Sequence, residues 1–321
     1  MILKDILRTI KEEGLWHLFL RTLKVISMRM YRFLRSLPYL PMLITKKKVV
    51  RDINNYKMYL DLSDKGISRE LLIFKKREYY GTDLLCSGEL IKQGDTILDI
   101  GANIGYFALL ESKVVGPSGK IYAVEPSPVN YQRLNENIKL NKCDNIETFN
   151  LAIGDKNGQA KMFISSRSNW SRLIERDMPD SINQVVNVDM LTVDDFLKDK
   201  QPPDLIRMDV EGYEINILKG MKNTLKKSNL KIFLEFHART INETDAIEFF
   251  DSLINNGFET KHCLLNPSLD QNIFTAFAYK HLGEYDFYKG NHFKMNISEA
   301  KQWVLKTKFI KVPHFVFAKG P

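Results

Sequence analysis

The strongest constraint on this chain is the stretch Thr96 to Phe107, T-I-L-D-I-G-A-N-I-G-Y-F. An apolar strand from Thr96 to Ile100 runs into a glycine turn, Gly101 to Gly105, and then into the first turn of a helix. That order is the local shape of a nucleotide-cofactor site. Gly101 and Gly105 let backbone approach a ligand with no Cβ in the way. Asn103, which caps the helix, and Tyr106 stand beside them as cofactor-facing candidates. Asp99 precedes the turn. A pyrophosphate needs the positive end of a helix and no fixed anion beside it. A carboxylate at the strand end therefore disfavours a dinucleotide and suits a ligand with an ammonium group, such as S-adenosylmethionine.

The segments that follow repeat the strand–helix rhythm of a doubly wound α/β fold. Lys120 to Val124 is a second apolar strand ending in Glu125, placed to bind ribose hydroxyls. Pro126, Ser127 and Pro128 start the next helix, with Ser127 as N-cap, and Tyr131 to Asn141 reads as its body. Asn145 to Leu151 is a third strand, and Asp155 beyond it is placed to meet an adenine amino group. Between Gly158 and Val193 the rhythm breaks. Two strands there, Lys161 to Ser165 and Val185 to Asp189, flank a polar loop around Trp170, which reads as an exposed hairpin loop or as a cover for the substrate.

The fourth strand, Asp204 to Val210, runs into Glu211, Gly212, Tyr213 and Glu214 and then a helix from Ile215 to Leu225, with Gly220 as a bend or close packing point. Asp209 and Glu211 sit at the carboxyl edge, where open α/β sheets bind ligands. Glu214 is explained by the helix dipole alone. The fifth strand, Leu230 to Phe236, ends with Glu235 and His237, and histidine is the usual general base near neutral pH. Asn242 to Asn255 is an amphipathic helix, Glu259 to Leu265 a strand, and Phe309 to Lys319 closes the sheet.

Charge separates the chain into unequal parts. The net charge is +8 over 321 residues, and residues 1–50 alone hold eleven Lys/Arg against three acids. The body is therefore neutral, which argues against a large nucleic-acid surface on it. Residues 1–45 combine an apolar helical stripe (Leu15, Leu18, Phe19, Leu23, Ile26, Met30, Phe33, Leu34) with Arg21, Lys24, Arg32 and Arg35 on another face. No apolar run is long enough to span a bilayer. The segment suits an anionic membrane interface, or packing against its own domain or a second subunit in a homo-oligomer. Residues 46–95 read as a hairpin turning at Asn54-Asn55, followed by helices that pad one sheet face. Residues 96–321 form the main domain. Cys86, Cys143 and Cys263 stand far apart, without metal spacing or a disulfide framework. This points to the cytoplasm, and with the basic segment to the inner face of the membrane.

With these residues in place, the chain resembles the FkbM-type methyltransferases, a branch of the class I S-adenosylmethionine-dependent enzymes. The likeness runs from about Tyr59 to Lys280 and rests on D-I-G-A-N-I-G-Y-F at 99–107 and R-M-D-V-E-G-Y-E-I-N-I-L-K-G at 207–220. L-A-I-G-D at 151–155, L-T-V-D-D-F-L at 191–197 and L-E-F-H at 234–237 also fit. Arg207 departs from the lysine usual there. The resemblance implies a seven-stranded, Rossmann-like sheet with its last strand antiparallel, and methylation of hydroxyls on sugars, lipids or polyketide-like metabolites. The N-terminal segment lies outside the family pattern.

The expected activity is O-methylation of a sugar, a lipid head group or a lipid-linked glycan, with S-adenosyl-L-methionine as cofactor. Asp99, Gly101, Asn103, Gly105, Tyr106, Glu125, Pro126, Asp155 and Asp209 are its expected contacts. His237 is the expected base, held by Glu235 or Asp209, with Glu211 beside it. A rival arrangement, not favoured from sequence, has Asp209 and Glu211 hold a divalent cation that lowers the hydroxyl pKa. A soluble small-metabolite acceptor, a tRNA methyltransferase and a non-enzymatic membrane scaffold are the alternatives. The tRNA reading lacks the Asn/Asp-Pro-Pro-Tyr/Phe motif after the fourth strand, where Asp209-Val210-Glu211-Gly212 stands.

Overall fold

A computed structural model of the chain describes residues 30, 33–34, 36–39, 41–42, 47–77, 79–173, 182–237, 241–265, 292–293, 295–306 and 313–319. The chain divides into two compact units, Met1–Thr45 with Pro267–Gly290, and Lys46–Asn266 with Asn291–Pro321. The second unit holds the sheet and the candidate site. Most of the N-terminal segment, and most of the aromatic stretch from Tyr279 to Lys294, lie outside the described residues.

A hairpin opens the second unit, β1 (Lys48–Ile53) paired antiparallel with β2 (Tyr56–Asp61). Asn54 and Asn55 both take positive φ, 50° and 69°. That pair matches the twist of a two-residue hairpin, and asparagine tolerates it. Two helices follow, α1 (Ile67–Phe74) and α2 (Tyr79–Cys86). The second ends before Gly88, and Leu90 and Ile91 are buried outside the helix.

The main layer then alternates β3 (Thr96–Ile100), α3 (Tyr106–Val115), β4 (Lys120–Val124), α4 (Pro128–Asn141) and β5 (Ile146–Phe149). The chain leaves it to build a small sheet from β6 (Ala152–Gly154), β7 (Gly158–Ser165) and β8 (Ile182–Thr192), in the order β6-β8-β7. It returns through α5 (Val193–Phe196) to β9 (Leu205–Met208), α6 (Glu214–Lys219), β10 (Lys231–Glu235), α7 (Glu243–Asn255), β11 (Phe258–Leu265), β12 (His292–Phe293), α8 (Ile297–Lys306) and β13 (Pro313–Lys319). Helix α6 stops well short of Leu225. Gly220 is pressed against β6, where a Cβ would stand 2.0 Å from Gly154 O.

The strand order is β12-β11-β13-β10-β9-β3-β4-β5. The run from β10 to β5 is parallel, and β13 inserts antiparallel between β10 and β11. This is the seven-stranded sheet of the class I methyltransferase fold, with the two-residue β12 added at one edge. Strands β3 and β9 are buried at every residue, as parallel strands covered on both faces must be. Phe236, Phe249, Phe250, Phe315 and Phe317 lock α7 onto β10 and β13. Each fully buried phenylalanine contributes about 1.5–3 kcal/mol. This core fixes the carboxyl edge of the central strands, from which the site is built.

Candidate active site

The first part of the site lies where β3 and β4 end. Gly101 takes φ +82°, and a Cβ there would stand 2.1 Å from Asp209 O. Only glycine accepts both the conformation and the contact. The amides of Gly101 and Ala102 donate to Val124 O at 2.9 and 3.0 Å, tying the turn to the end of β4. Glu125 follows, 4% exposed. Its Oε2 accepts from the Asn103 amide at 2.8 Å, and its Oε1 from the Ser127 amide at 2.9 Å and Asn130 Nδ2 at 3.5 Å. Burial pushes the Glu125 carboxyl up to about 7, against the pull of these donors.

Glu125 faces a cleft that is open to solvent. One wall is apolar, with Ile100, Val124, Leu151, Ile153 and Met162. The other comes from the segment after β7: Ser168, Asn169, Ser171, Arg172 and Leu173. This segment is strapped down at both sides. Ser168 donates to Asp64 through its amide (2.9 Å) and its hydroxyl (2.8 Å), while Ser168 O accepts from Asn103 Nδ2 (3.2 Å) and Asn130 Nδ2 (3.3 Å). The polar loop is thus a wall of the cleft, held in part by the N-terminal hairpin region.

The far end of the cleft is ionic. Asp209 and Glu211 line it beyond β9, with Val210 and Tyr213. Glu211 sits in a tight turn at φ +51°, followed by Gly212 at +103°. β10 pairs with β9 in parallel register, Leu234 opposite Met208, which brings His237 alongside. His237 Nε2 is 3.5 Å from Glu211 Oε2. His237 Nδ1 donates to Glu214 Oε1 at 2.7 Å, and Glu214 is fully buried. One donor atom each from Asp209, Glu211 and His237 lies within 4.8 Å of the other two. Burial raises the Glu211 carboxyl. Burial alone would lower His237, but the charges of Glu211 and Glu214 override it and hold the imidazole well above its ordinary range.

Sequence comparison decides the family. The methyltransferase FkbM domain matches residues 99–260, half of the chain. The chain belongs to the FkbM methyltransferase family. Among its relatives, the hexuronic acid methyltransferase AglP of Haloferax volcanii is 25% identical over 47% of this chain and 59% of its own length. The 2-O-methyltransferase NoeI of Sinorhizobium fredii is 30% identical over 48% of this chain and 68% of its own. A crystal structure of an FkbM methyltransferase from Methylobacillus flagellatus is similar at 18% identity and a TM-score of 0.39, covering 58% of this chain and 46% of that one. The matched part of this chain thus spans about three-fifths to two-thirds of the two curated relatives.

Within this FkbM domain the sequence-nominated residues divide. Gly101, Asn103, Glu125, Pro126, Asp209 and Glu211 line the cleft, and His237 joins them through Glu211. Asp99 is not among the lining residues. In the parallel register of β3 and β9 it stands opposite Arg207, so both side chains leave the sheet on one face. There Arg207 Nη1 bonds Asp99 Oδ1 at 2.8 Å, lies over Phe107 at 3.8 Å, and its Nη2 reaches Asp209 Oδ2 at 3.7 Å. Glu111 of α3, fully buried beside this pair, has its pKa raised well above the ordinary carboxyl range by burial.

Tyr106 is also turned away from the cleft. Its hydroxyl takes Asn54 Nδ2 at 2.8 Å and the Arg77 amide at 3.0 Å, pinning the N-terminal hairpin region to α3. Gly105 faces Leu134 of α4. Asp155 is exposed, near Tyr213. Glu235 lies 3.7 Å from His314 Nε2, and Glu214 holds His237 in its place. Glu214 is the residue that sequence reading missed, since the first turn of a helix explained it without a partner.

Proposed function

We propose that the protein is an S-adenosylmethionine-dependent O-methyltransferase whose acceptor is a hydroxyl of a sugar, a lipid head group or a lipid-linked glycan at a membrane surface. The observation that carries this reading is one continuous cleft running from Glu125 to Asp209 and Glu211. Its residues fit the cofactor. Glu125, fixed by two backbone amides, offers a carboxyl to ribose hydroxyls; Gly101 offers bare backbone; the apolar wall suits a purine. When bound, S-adenosylmethionine supplies a sulfonium methyl group that an oxygen nucleophile displaces in line. The chain's own work is to orient two ligands and to remove the hydroxyl proton. Proton removal falls to the ionic end, where Asp209, Glu211 and His237 meet and Glu214 fixes the imidazole. The names of the two relatives, one for a hexuronic acid and one for 2-O-methylation, support a sugar hydroxyl.

The membrane part rests on other residues. Met30, Phe33, Leu34 and Leu37 are 47%, 59%, 54% and 44% exposed, and the sequence segment they belong to carries the net charge. Apolar and cationic residues in one segment suit an anionic interface, each basic residue contributing about 1 kcal/mol near the surface. No helix among the described residues is long and apolar enough to cross a membrane.

Two measurements test the reading. Calorimetry should show S-adenosylmethionine binding, and transfer of a labelled methyl group to glycolipid or free-sugar hydroxyls should follow. Absence of cofactor binding by the folded chain sinks the methyltransferase reading. Full-length protein should sediment with anionic vesicles and not with zwitterionic ones, and a full-length variant with Arg21, Lys24, Arg32 and Arg35 changed to Gln should stay in solution. Equal sedimentation of the two proteins sinks the membrane part alone.

A further inference from the structure

We propose that Asp209, Glu211 and His237 form a site for a divalent cation of the Mn²⁺ class at the acceptor end of the cleft, with Glu214 as the buried partner that aims the imidazole. This deepens the methyltransferase reading and rests on it. It also gives His237 the part of a ligand where the sequence suggested a general base.

Three observations support it. First, the donor atoms of the three residues lie within 4.8 Å of one another. A single ion with bonds of about 2.0–2.2 Å spans nearly that distance. Second, the His237–Glu214 pair has the arrangement that metal-binding histidines use, with the far ring nitrogen donating to a carboxylate. The Nδ1–Oε1 distance is 2.7 Å, and the Gly212 amide also donates to Glu214 Oε1, at 3.1 Å. Among the described residues, Oε2 of Glu214 has no hydrogen-bond partner, although the side chain is fully buried. A buried carboxylate spent on one ring nitrogen needs positive charge on the ring side to be worth its desolvation. Third, the pair leaves Nε2 facing Glu211 Oε2 at 3.5 Å, so that one positive charge, the ring's own proton or a metal ion that replaces it, serves both groups.

The donor chemistry selects the ion. Two carboxylates and one imidazole suit manganese and other first-row divalent ions better than sulfur-seeking metals, and three protein ligands leave positions open. Asp209 and Glu211 both face the cleft, so those positions meet the acceptor. Two adjacent oxygens, as on the vicinal hydroxyls of a sugar, chelate such an ion, and its charge lowers the hydroxyl pKa. In the transfer the oxygen–methyl bond forms as the sulfur–methyl bond breaks, and the sulfur keeps that electron pair. The hydroxyl proton passes to the second oxygen of the Glu211 carboxylate, which is 23% exposed, and on to solvent. The predicted acceptor class is thus a sugar with neighbouring free hydroxyls.

The test uses the full chain stripped with chelator and titrated with Mn²⁺ alone, the free ion being read by electron paramagnetic resonance. One ion per chain should bind at micromolar concentration. Glu211→Gln and His237→Ala should each weaken binding at least tenfold, and Glu214→Gln about 10–100-fold. Glu125→Gln, at the other end of the cleft, should leave Mn²⁺ binding unchanged. Chelator should abolish methyl transfer, and Mn²⁺ should restore it. S-adenosylmethionine binding is measured on the same samples. If it persists while the stripped enzyme turns over at the full rate, or if Glu211→Gln binds Mn²⁺ like the parent, the cation site is overturned and the methyltransferase reading stands. Glu211 is partly exposed, so that variant should fold even if changes at His237 or Glu214 do not.

Discussion

The two ends of the cleft are built by different means. The end at Gly101 and Glu125 is mostly backbone: a left-handed glycine, the amides of Asn103 and Ser127, and one carboxyl that they hold. The end at Asp209 and His237 is mostly side chain: three carboxylates and an imidazole drawn from the turn after β9, the start of α6 and the segment just beyond β10. A backbone cradle is local, so it depends on a short stretch with glycine in one place. A side-chain cluster is assembled by strand register and helix placement, so it depends on the whole sheet. Arg207 links the two, pairing with Asp99 of β3 and reaching Asp209 beyond β9.

The sharpest way to separate the ends is His237→Ala. Turnover should fall roughly 10²–10⁴-fold while cofactor affinity measured by calorimetry is kept. A parallel loss of cofactor binding would show that the ends are one unit. Arg207→Met should break the link between them. It removes the 2.8 Å ion pair to the fully buried Asp99, and should cost about 3–5 kcal/mol of stability in denaturant titration; a change below 1 kcal/mol would mean that the pair is dispensable. Glu125→Ala confines damage to the backbone end. It should weaken S-adenosylmethionine binding by ~1.5–3 kcal/mol with Mn²⁺ binding intact.

The most graded effect is a pH profile. Glu125 titrates near 7 in the fold against an ordinary 4.5. Below 4.5 it is protonated in both folded and unfolded chains and contributes nothing. Between 4.5 and 7 the unfolded chain ionises first, so stability from this group is lost as pH rises, by up to roughly 3 kcal/mol. Cofactor binding runs the other way, since the ionised carboxyl is the better acceptor for ribose hydroxyls. Affinity should fall as pH drops below about 7, by at most tenfold per unit. A flat profile in the parent, or the same slope in Glu125→Gln, would remove Glu125 from the ribose contact.

The sequence by itself determined most of the elements and the residues at one end of the cleft. Strand, glycine turn and helix are local, and Gly101, Asn103, Glu125 and Pro126 all line the cleft. The hairpin turn at Asn54-Asn55 was legible for the same reason, since left-handed backbone is a property of the residues that adopt it. Tertiary structure decided which side chains share a space. Asp99 read as a ligand contact from its position in the stretch, and only strand register shows that it stands opposite Arg207, with which it forms an ion pair. Glu214 read as a helix-dipole residue, and only the packing of α6 beside β10 turns it to His237. The strap at Ser168 depends on Asp64, 104 positions away, with no local trace in either segment. Periodicity and turn chemistry act over a few residues, whereas the charge around a buried group is summed over everything the fold brings near it.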